Sequence, residues 1–121
     1  MAVYAVGVDL IEIERVEQLL DKYGDKFKRR MFTDIEIEYC EKKVSRESFA
    51  GRFAAKEAVF KTTGLGLGPG MTWKDVEVIN DEKGKPEVRL YGKTAELLQG
   101  KTVHISISHS KSASVAVAVV E

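Results

Sequence analysis

The chain has 121 residues, 44% hydrophobic and 31% charged, enough for one globular domain (residues 1–121) with a real core and too few for two. Nineteen Lys plus Arg balance nineteen Asp plus Glu, so the formal net charge is zero, which argues against a general nucleic-acid binder. A single cysteine, Cys40, allows no intrachain disulfide and no metal site of its own, and points to a reducing compartment and a buried thiol.

Val3 to Ile11 is apolar on both alternating faces except at Asp9, the pattern of a strand buried on two sides. A carboxylate near the end of such a strand caps the following helix or binds a cation, and the spacing is compatible with either. The same stretch has no basic leader and meets Asp9 and Glu12 early, unlike a signal peptide. No apolar run approaches the roughly 20 residues of a membrane helix, so a soluble cytoplasmic protein is expected.

Glu12 to Lys22 carries Ile13, Val16, Leu19 and Leu20 at helical spacing, with Gly24 as the stop. Arg15 sits among Glu12, Glu14 and Glu17, where it serves as their surface partner. Lys22 to Arg30 then holds Lys22, Lys26, Lys28, Arg29 and Arg30 against Asp25 alone, a patch for an anionic partner or a solvated face. Thr33 with Glu36 reads as a capping box that opens a short helix to about Lys43.

Arg46 to Lys61 is the central helix. Phe49, Phe53 and Phe60 share one stripe, and Ala50, Ala54, Ala55 and Ala58 keep the rod slim. Lys56 lies inside that stripe, Glu57 borders it, and Arg52 and Lys61 stand one turn from them. Unpaired ions are costly to bury, so these four groups pair along the helix or face a cleft that holds a charged ligand or metal.

The run Gly64 to Gly70, G-L-G-L-G-P-G, lacks the Gly-Lys-Ser/Thr ending of a phosphate loop and precedes no helix, so by itself it reads as a flexible connector. Trp73 to Ile79 and Glu87 to Tyr91 alternate around a turn, predicting a hairpin with one wet face, and Gly92 to Gln99 forms a short helix. The chain closes as strand, turn near Ser110 to Ser112, strand. Ser114 to Val120 is apolar on both faces, like Val3 to Ile11, and two such strands call for packing against another subunit. His109, in the polar turn beside Ser110 and Lys111, suits phosphate or is a surface histidine without a task.

Three blocks, G-V-D-L-I-E-I-E-R-V at Gly7 to Val16, F-A-G-R-F-A-A-K-E-A-V-F-K at Phe49 to Lys61 and I-S-I-S-H-S-K at Ile105 to Lys111, stand in an order and spacing that resemble the holo-acyl-carrier-protein synthases. These are the short bacterial type of 4′-phosphopantetheinyl transferase. The resemblance spans nearly the whole chain and implies an α+β fold, an antiparallel sheet with a long central helix and active sites between subunits of a homotrimer. It also implies the reaction: transfer of phosphopantetheine from coenzyme A, the co-substrate, to a serine of apo acyl carrier protein in fatty acid biosynthesis. Adenosine 3′,5′-bisphosphate is released, with Mg2+ as the usual ion.

On this resemblance Asp9 and Glu57 are the metal carboxylates, and Asp9, Glu57 and Lys61 form the catalytic set; either carboxylate can take the serine proton through a metal-bound water, and Glu57 is the base expected here. Arg46, Arg52, Lys56, Lys61, Gly64, Gly66, His109 and Ser110 are implied as coenzyme A contacts, Arg52 and Arg46 toward its 3′-phosphate and ribose end. Arg15, Lys22, Lys28, Arg29 and Arg30 are implied as the surface that docks the acidic recognition helix of the carrier protein, although Gln18, Asp21 and Asp25 dilute it. Two other readings compete with the enzyme. A non-catalytic trimeric coenzyme A or nucleotide binding module needs no pair of metal carboxylates beside a phosphate lysine, and a purely structural oligomer binds no metal-dependent ligand.

Overall fold

The computed structural model describes residues 2–121; Met1, the first residue of the expected domain, lies outside them. Strand β1 (Ala5–Glu12) runs into helix α1 (Ile13–Tyr23), which ends at Gly24, where φ is 53° and the amide donates to the Leu20 carbonyl at 2.8 Å. Only glycine takes that backbone region without strain, so the expected stop is placed by sterics. The basic stretch that follows folds as α2 (Asp25–Met31). Seven residues are too few to display a period, and a helix this short is held by packing: Met31 is buried and Phe27 meets Phe32 edge-on at 6.0 Å.

Helix α3 (Asp34–Glu41) begins with the expected capping box: Thr33 Oγ1 accepts from the Glu36 amide at 3.4 Å, and Glu36 Oε1 accepts from the Thr33 amide at 3.0 Å. Behind it Cys40 is buried, and burial pushes its thiol up to about 12, so it is chemically quiet.

Helix α4 (Glu47–Thr62) lies on one face of a three-stranded antiparallel sheet ordered β1–β5–β4, with β4 (Val103–His109) and β5 (Ala113–Val120) forming the closing hairpin. Its alanines, Ala50, Ala54, Ala55 and Ala58, are all fully buried against the sheet, where Ala116 and Ala118 leave room for a helix to settle closely. The closest approach is at Gly7. A methyl there would overlap the Ala58 carbonyl and come within 3.2 Å of Thr62 Cγ2. Gly7→Ala is therefore expected to push α4 off β1 and cost about 1–3 kcal/mol, the usual range for overpacking, as read by urea unfolding. An unchanged midpoint would mean that the helix has slack to move.

A hairpin of β2 (Val76–Asn80) and β3 (Pro86–Leu90) follows the 3-10 turn Trp73–Asp75 and leads to α5 (Gly92–Leu97). Trp73 packs on Phe53 and Phe60 at 5.4 and 5.6 Å, which ties the hairpin to α4. The expected wet face holds for β3 but not for β2. Glu77 is buried because Thr33 Oγ1 and the Tyr91 hydroxyl both donate to its carboxylate, at 2.5 and 2.9 Å, so a polar residue is inside the fold.

Within one chain α4 covers only one face of the two apolar strands, which leaves the other face, expected to pack against another subunit, open. Val6, Val8 and Leu10 remain 60%, 53% and 65% exposed. They stand opposite Val119, Val117 and Val115 of β5, which makes a continuous apolar row on the uncovered side.

Candidate active site

Asp9 shares the inward face of β1 with Gly7 and Ile11, which brings its carboxylate to the flank of α4. Lys61, in the last turn of α4, donates to Asp9 Oδ1 at 3.2 Å and to the Val8 carbonyl at 2.9 Å. Glu57 lies one turn earlier on the same flank. Burial holds its carboxyl above the usual value, the Asp9 carboxylate adds to this, and Lys61 and Arg15 oppose it. Two acids and a half-exposed lysine thus converge at the rim where β1 meets α4. Beyond them the helix ends, and Gly64 and Gly66, at φ 79° and 60°, carry the chain away through open space.

A second group occupies the opposite flank. Arg52 and Lys61 are nine residues apart, about 180° around the helix, so they cannot face one cleft within a chain. Arg52 is 4% exposed; its Nη2 donates to Asn80 Oδ1 at 2.5 Å, and its guanidinium covers the Tyr39 ring at 4.3 Å. Beside it His109 Nε2 stands 3.3 Å from the Glu47 carboxylate. The Ser110 oxygen accepts from the Ser112 and Ala113 amides at 3.3 and 3.2 Å, leaving its proton free to donate outward. Arg52 and His109 line one cavity of about 350 Å³.

Lys56 does not belong to either group, and its expected contact with coenzyme A is corrected. The ammonium is completely buried and donates to Glu36 Oε1 at 2.7 Å, to the Trp73 carbonyl at 3.2 Å and to the Val76 carbonyl. All three of its protons are used, so none reaches a ligand. Burial pushes its pKa down while Glu36 pulls it up. The helix charges do not pair with each other: Arg52 goes to β2, Lys56 to α3 and Lys61 to β1. Arg46, expected at the cofactor, turns onto α1 instead, bonding Asp21 Oδ1 at 2.6 Å and the Glu17 carbonyl at 3.4 Å.

The expected docking residues also divide. Arg30 and Lys26 rim an apolar groove of about 560 Å³ floored by Leu19, Phe27, Met31 and Trp73. Arg29 faces the other side of α2, where Asp34, Glu38 and Glu41 balance it, and Lys28 is bound to Glu41 at 2.7 Å. Lys22 lies over the Tyr23 ring, and Arg15 stands near Glu57.

The residues that sequence reading did not reach are partners. Glu36 was legible only as a cap, Glu77 only as a strand residue, Asn80 only as a turn residue and Glu47 not at all. The one available signal was Lys56 itself, since a lysine inside an aromatic stripe demands a buried acceptor.

Among the described residues no cluster of three or more His, Cys, Asp or Glu could hold a metal. Two carboxylates are nonetheless enough for magnesium, which keeps waters and completes its shell with substrate phosphate oxygens. The mutual repulsion of Asp9 and Glu57 at a partly open rim, and their all-oxygen character, fit such an ion.

Comparison with known proteins identifies the family of the chain. Residues 5–120 match the model of the 4′-phosphopantetheinyl transferase superfamily. A holo-[acyl-carrier-protein] synthase of Syntrophus aciditrophicus is 44% identical over 98% of this chain and 96% of its own length, and one of Geobacter sp. strain M21 is 45% identical over 98% of both. Among solved structures, the Bacillus anthracis holo-(acyl-carrier-protein) synthase in complex with CoA (3′,5′-ADP) superposes with a TM-score of 0.84 at 38% identity, covering 98% of this chain and 96% of that one. The Helicobacter pylori holo-[acyl-carrier-protein] synthase in complex with coenzyme A gives 0.87 at 30% identity over 96% and 99%. With an α+β fold, antiparallel sheets and a match across nearly its whole length, the chain belongs to the 4′-phosphopantetheinyl transferase superfamily.

Proposed function

We propose that residues 1–121 form a single transferase domain that moves 4′-phosphopantetheine from coenzyme A to a serine of apo acyl carrier protein. The observation that carries this reading is the convergence of Asp9, Glu57 and Lys61 at one rim of α4 in a chain of this family. The serine oxygen bonds to the phosphorus that bears the pantetheine arm, the bond from that phosphorus to the bridging oxygen breaks, and adenosine 3′,5′-bisphosphate leaves. Glu57 takes the serine proton through a water, a role that suits a carboxyl held above its usual value. Lys61 meets the pyrophosphate oxygens, where charge grows as the bond breaks. Asp9 and Glu57 would hold Mg2+, which would neutralise pyrophosphate charge when bound.

The two flanks of α4 take different parts in this reading. Arg52, His109 and Ser110 receive the 3′-phosphate end of coenzyme A, and Gly64 and Gly66 let the chain run close to the arm. One chain cannot present both flanks to one ligand, so a neighbour must complete the cleft. The row Val6, Val8, Leu10, Val115, Val117 and Val119 is the surface on which a homotrimer would close. No helix among the described residues is long and apolar enough to cross a membrane, and we place the enzyme in the cytoplasm.

The direct test is the intact mass of apo acyl carrier protein after incubation with this protein, coenzyme A and magnesium, with a chelator control. A magnesium-dependent gain of one phosphopantetheine arm is expected. No gain on several carrier proteins, with coenzyme A still bound, would make the binding-module reading the better one.

Carrier docking is expected at the Arg30 groove, where an apolar floor and a basic rim suit an acidic amphipathic helix. Arg30→Ala should raise the KM for carrier protein roughly tenfold, ~1.4 kcal/mol, while Arg29→Ala changes it little. Equal effects of the two substitutions would move docking off this groove.

A further inference from the structure

Arg52 is a buried cation without a buried anion. Among the described residues no carboxylate lies within ion-pair distance of it, and its fixed partners are a neutral amide, Asn80, and the face of Tyr39. The usual companion of a buried guanidinium is an acid, because otherwise the charge is stranded away from water. Two polar atoms on the walls of the same cavity are buried and have no partner, Arg52 Nε and Ser114 Oγ. Glu47, the acid at the cavity edge, is engaged with His109. The cavity therefore holds positive charge and spare hydrogen-bond donors that an incoming anionic ligand can satisfy.

Asn80 closes β2 at the entry to the hairpin turn, and its amide is oriented from both ends. Its Oδ1 accepts from Arg52, and its Nδ2 donates to the Gly84 carbonyl at 2.9 Å. Flipping the amide would set a donor against the guanidinium and an acceptor against a carbonyl, so one orientation is selected. The turn it grips is braced in its own right, with Asp81 Oδ1 accepting from the Lys83 and Lys85 amides, both at 2.9 Å. An asparagine there holds one edge of Arg52 without neutralising it.

We propose that Asn80 is a positioning residue that fixes the guanidinium of Arg52 toward the terminal phosphate of the co-substrate, so that the β2–β3 turn sets discrimination for that phosphate. This inference rests on the reading that Arg52 receives the 3′-phosphate end of coenzyme A. Asn80→Ala frees the guanidinium to tilt away. Asn80→Asp keeps an acceptor for it but supplies the missing anion, so the ligand phosphate must compete with a carboxylate.

The test is steady-state transfer with coenzyme A and with 3′-dephospho-coenzyme A, using the full-length protein and Arg52→Ala as a reference. For Asn80→Ala the KM for coenzyme A should rise about tenfold with kcat within about twofold of the parent, and the KM for the dephospho compound should not move. Asn80→Asp should raise the KM for coenzyme A at least as far, again sparing the dephospho compound. A general loss of structure would instead shift both substrates alike and lower the unfolding midpoint, and that result for both variants would overturn the proposal. If Arg52→Ala distinguishes the two substrates and neither Asn80 variant does, Asn80 alone is excluded; if Arg52→Ala fails to distinguish them, the placement of the 3′-phosphate falls and this inference with it.

Discussion

Glu57→Gln is expected to lower transfer by on the order of 10²–10³-fold, the usual loss when one preorganised charged group is removed from the reacting atoms. The substitution keeps the size of the side chain but removes one of two acids at the β1–α4 rim. Metal affinity should fall with activity, so magnesium should raise the melting temperature of the parent protein but not that of the variant. At a hundredfold excess over Kd the parent gains about 2.7 kcal/mol by mass action.

The stability of the metal-free protein should move the other way. The folded state holds the Glu57 proton more tightly than the unfolded chain does, because burial and Asp9 both raise its pKa above the reference value of 4.5. In the window from that reference up to the folded pKa the native state binds more protons, so stability falls as pH rises through it. Above that window the parent carries the cost of an ionised Glu57, and the glutamine variant carries none. Without metal, Glu57→Gln should therefore melt higher at pH 7, and the difference should vanish toward pH 4. Near-normal turnover in the variant, or a lower melting temperature at pH 7, would remove Glu57 from the site.

Lys56→Ala should have the largest effect on stability. It leaves the Glu36 carboxylate fully buried without its cation and also frees the Trp73 and Val76 carbonyls. Breaking a buried ion pair from one side costs about 3–5 kcal/mol, a large part of the roughly 5–15 kcal/mol that holds a domain of this size together. Replacing both charges, as Glu36→Gln with Lys56→Met, should recover most of that loss, because no unpaired ion is left inside. Urea unfolding of the two variants is the measurement. A single variant that stays within about 1 kcal/mol of the parent while its KM for coenzyme A rises would return Lys56 to the ligand.

The same lysine shows where sequence reading stops. Its place in the aromatic stripe at Phe49, Phe53 and Phe60 was visible from helical spacing, and so was its need for a partner. Glu36 as that partner was not visible, because it lies 20 residues away and was already assigned as a helix cap. The carboxylate performs both tasks at once, one oxygen facing Lys56 and the Thr33 amide, the other accepting from the Val78 amide at 2.9 Å.

By itself the sequence determined whatever depends on neighbours a few residues apart. The strand that carries Asp9, the stop at Gly24, the Thr33 cap, the long helix with its alanine face and the closing hairpin all follow from period, backbone sterics and local hydrogen bonds. The carboxylate pair was legible too, through the resemblance of its two blocks. Only the tertiary structure decided that Arg52 and Lys61 have separate partners in Asn80 and Asp9, that Glu77 is inside rather than wet, and that one side of the sheet is bare. Such features depend on which distant strand or helix meets a given side of α4. Folding alone sets that, by choosing the long-range contacts that bury the most apolar surface while leaving the fewest ions unpaired.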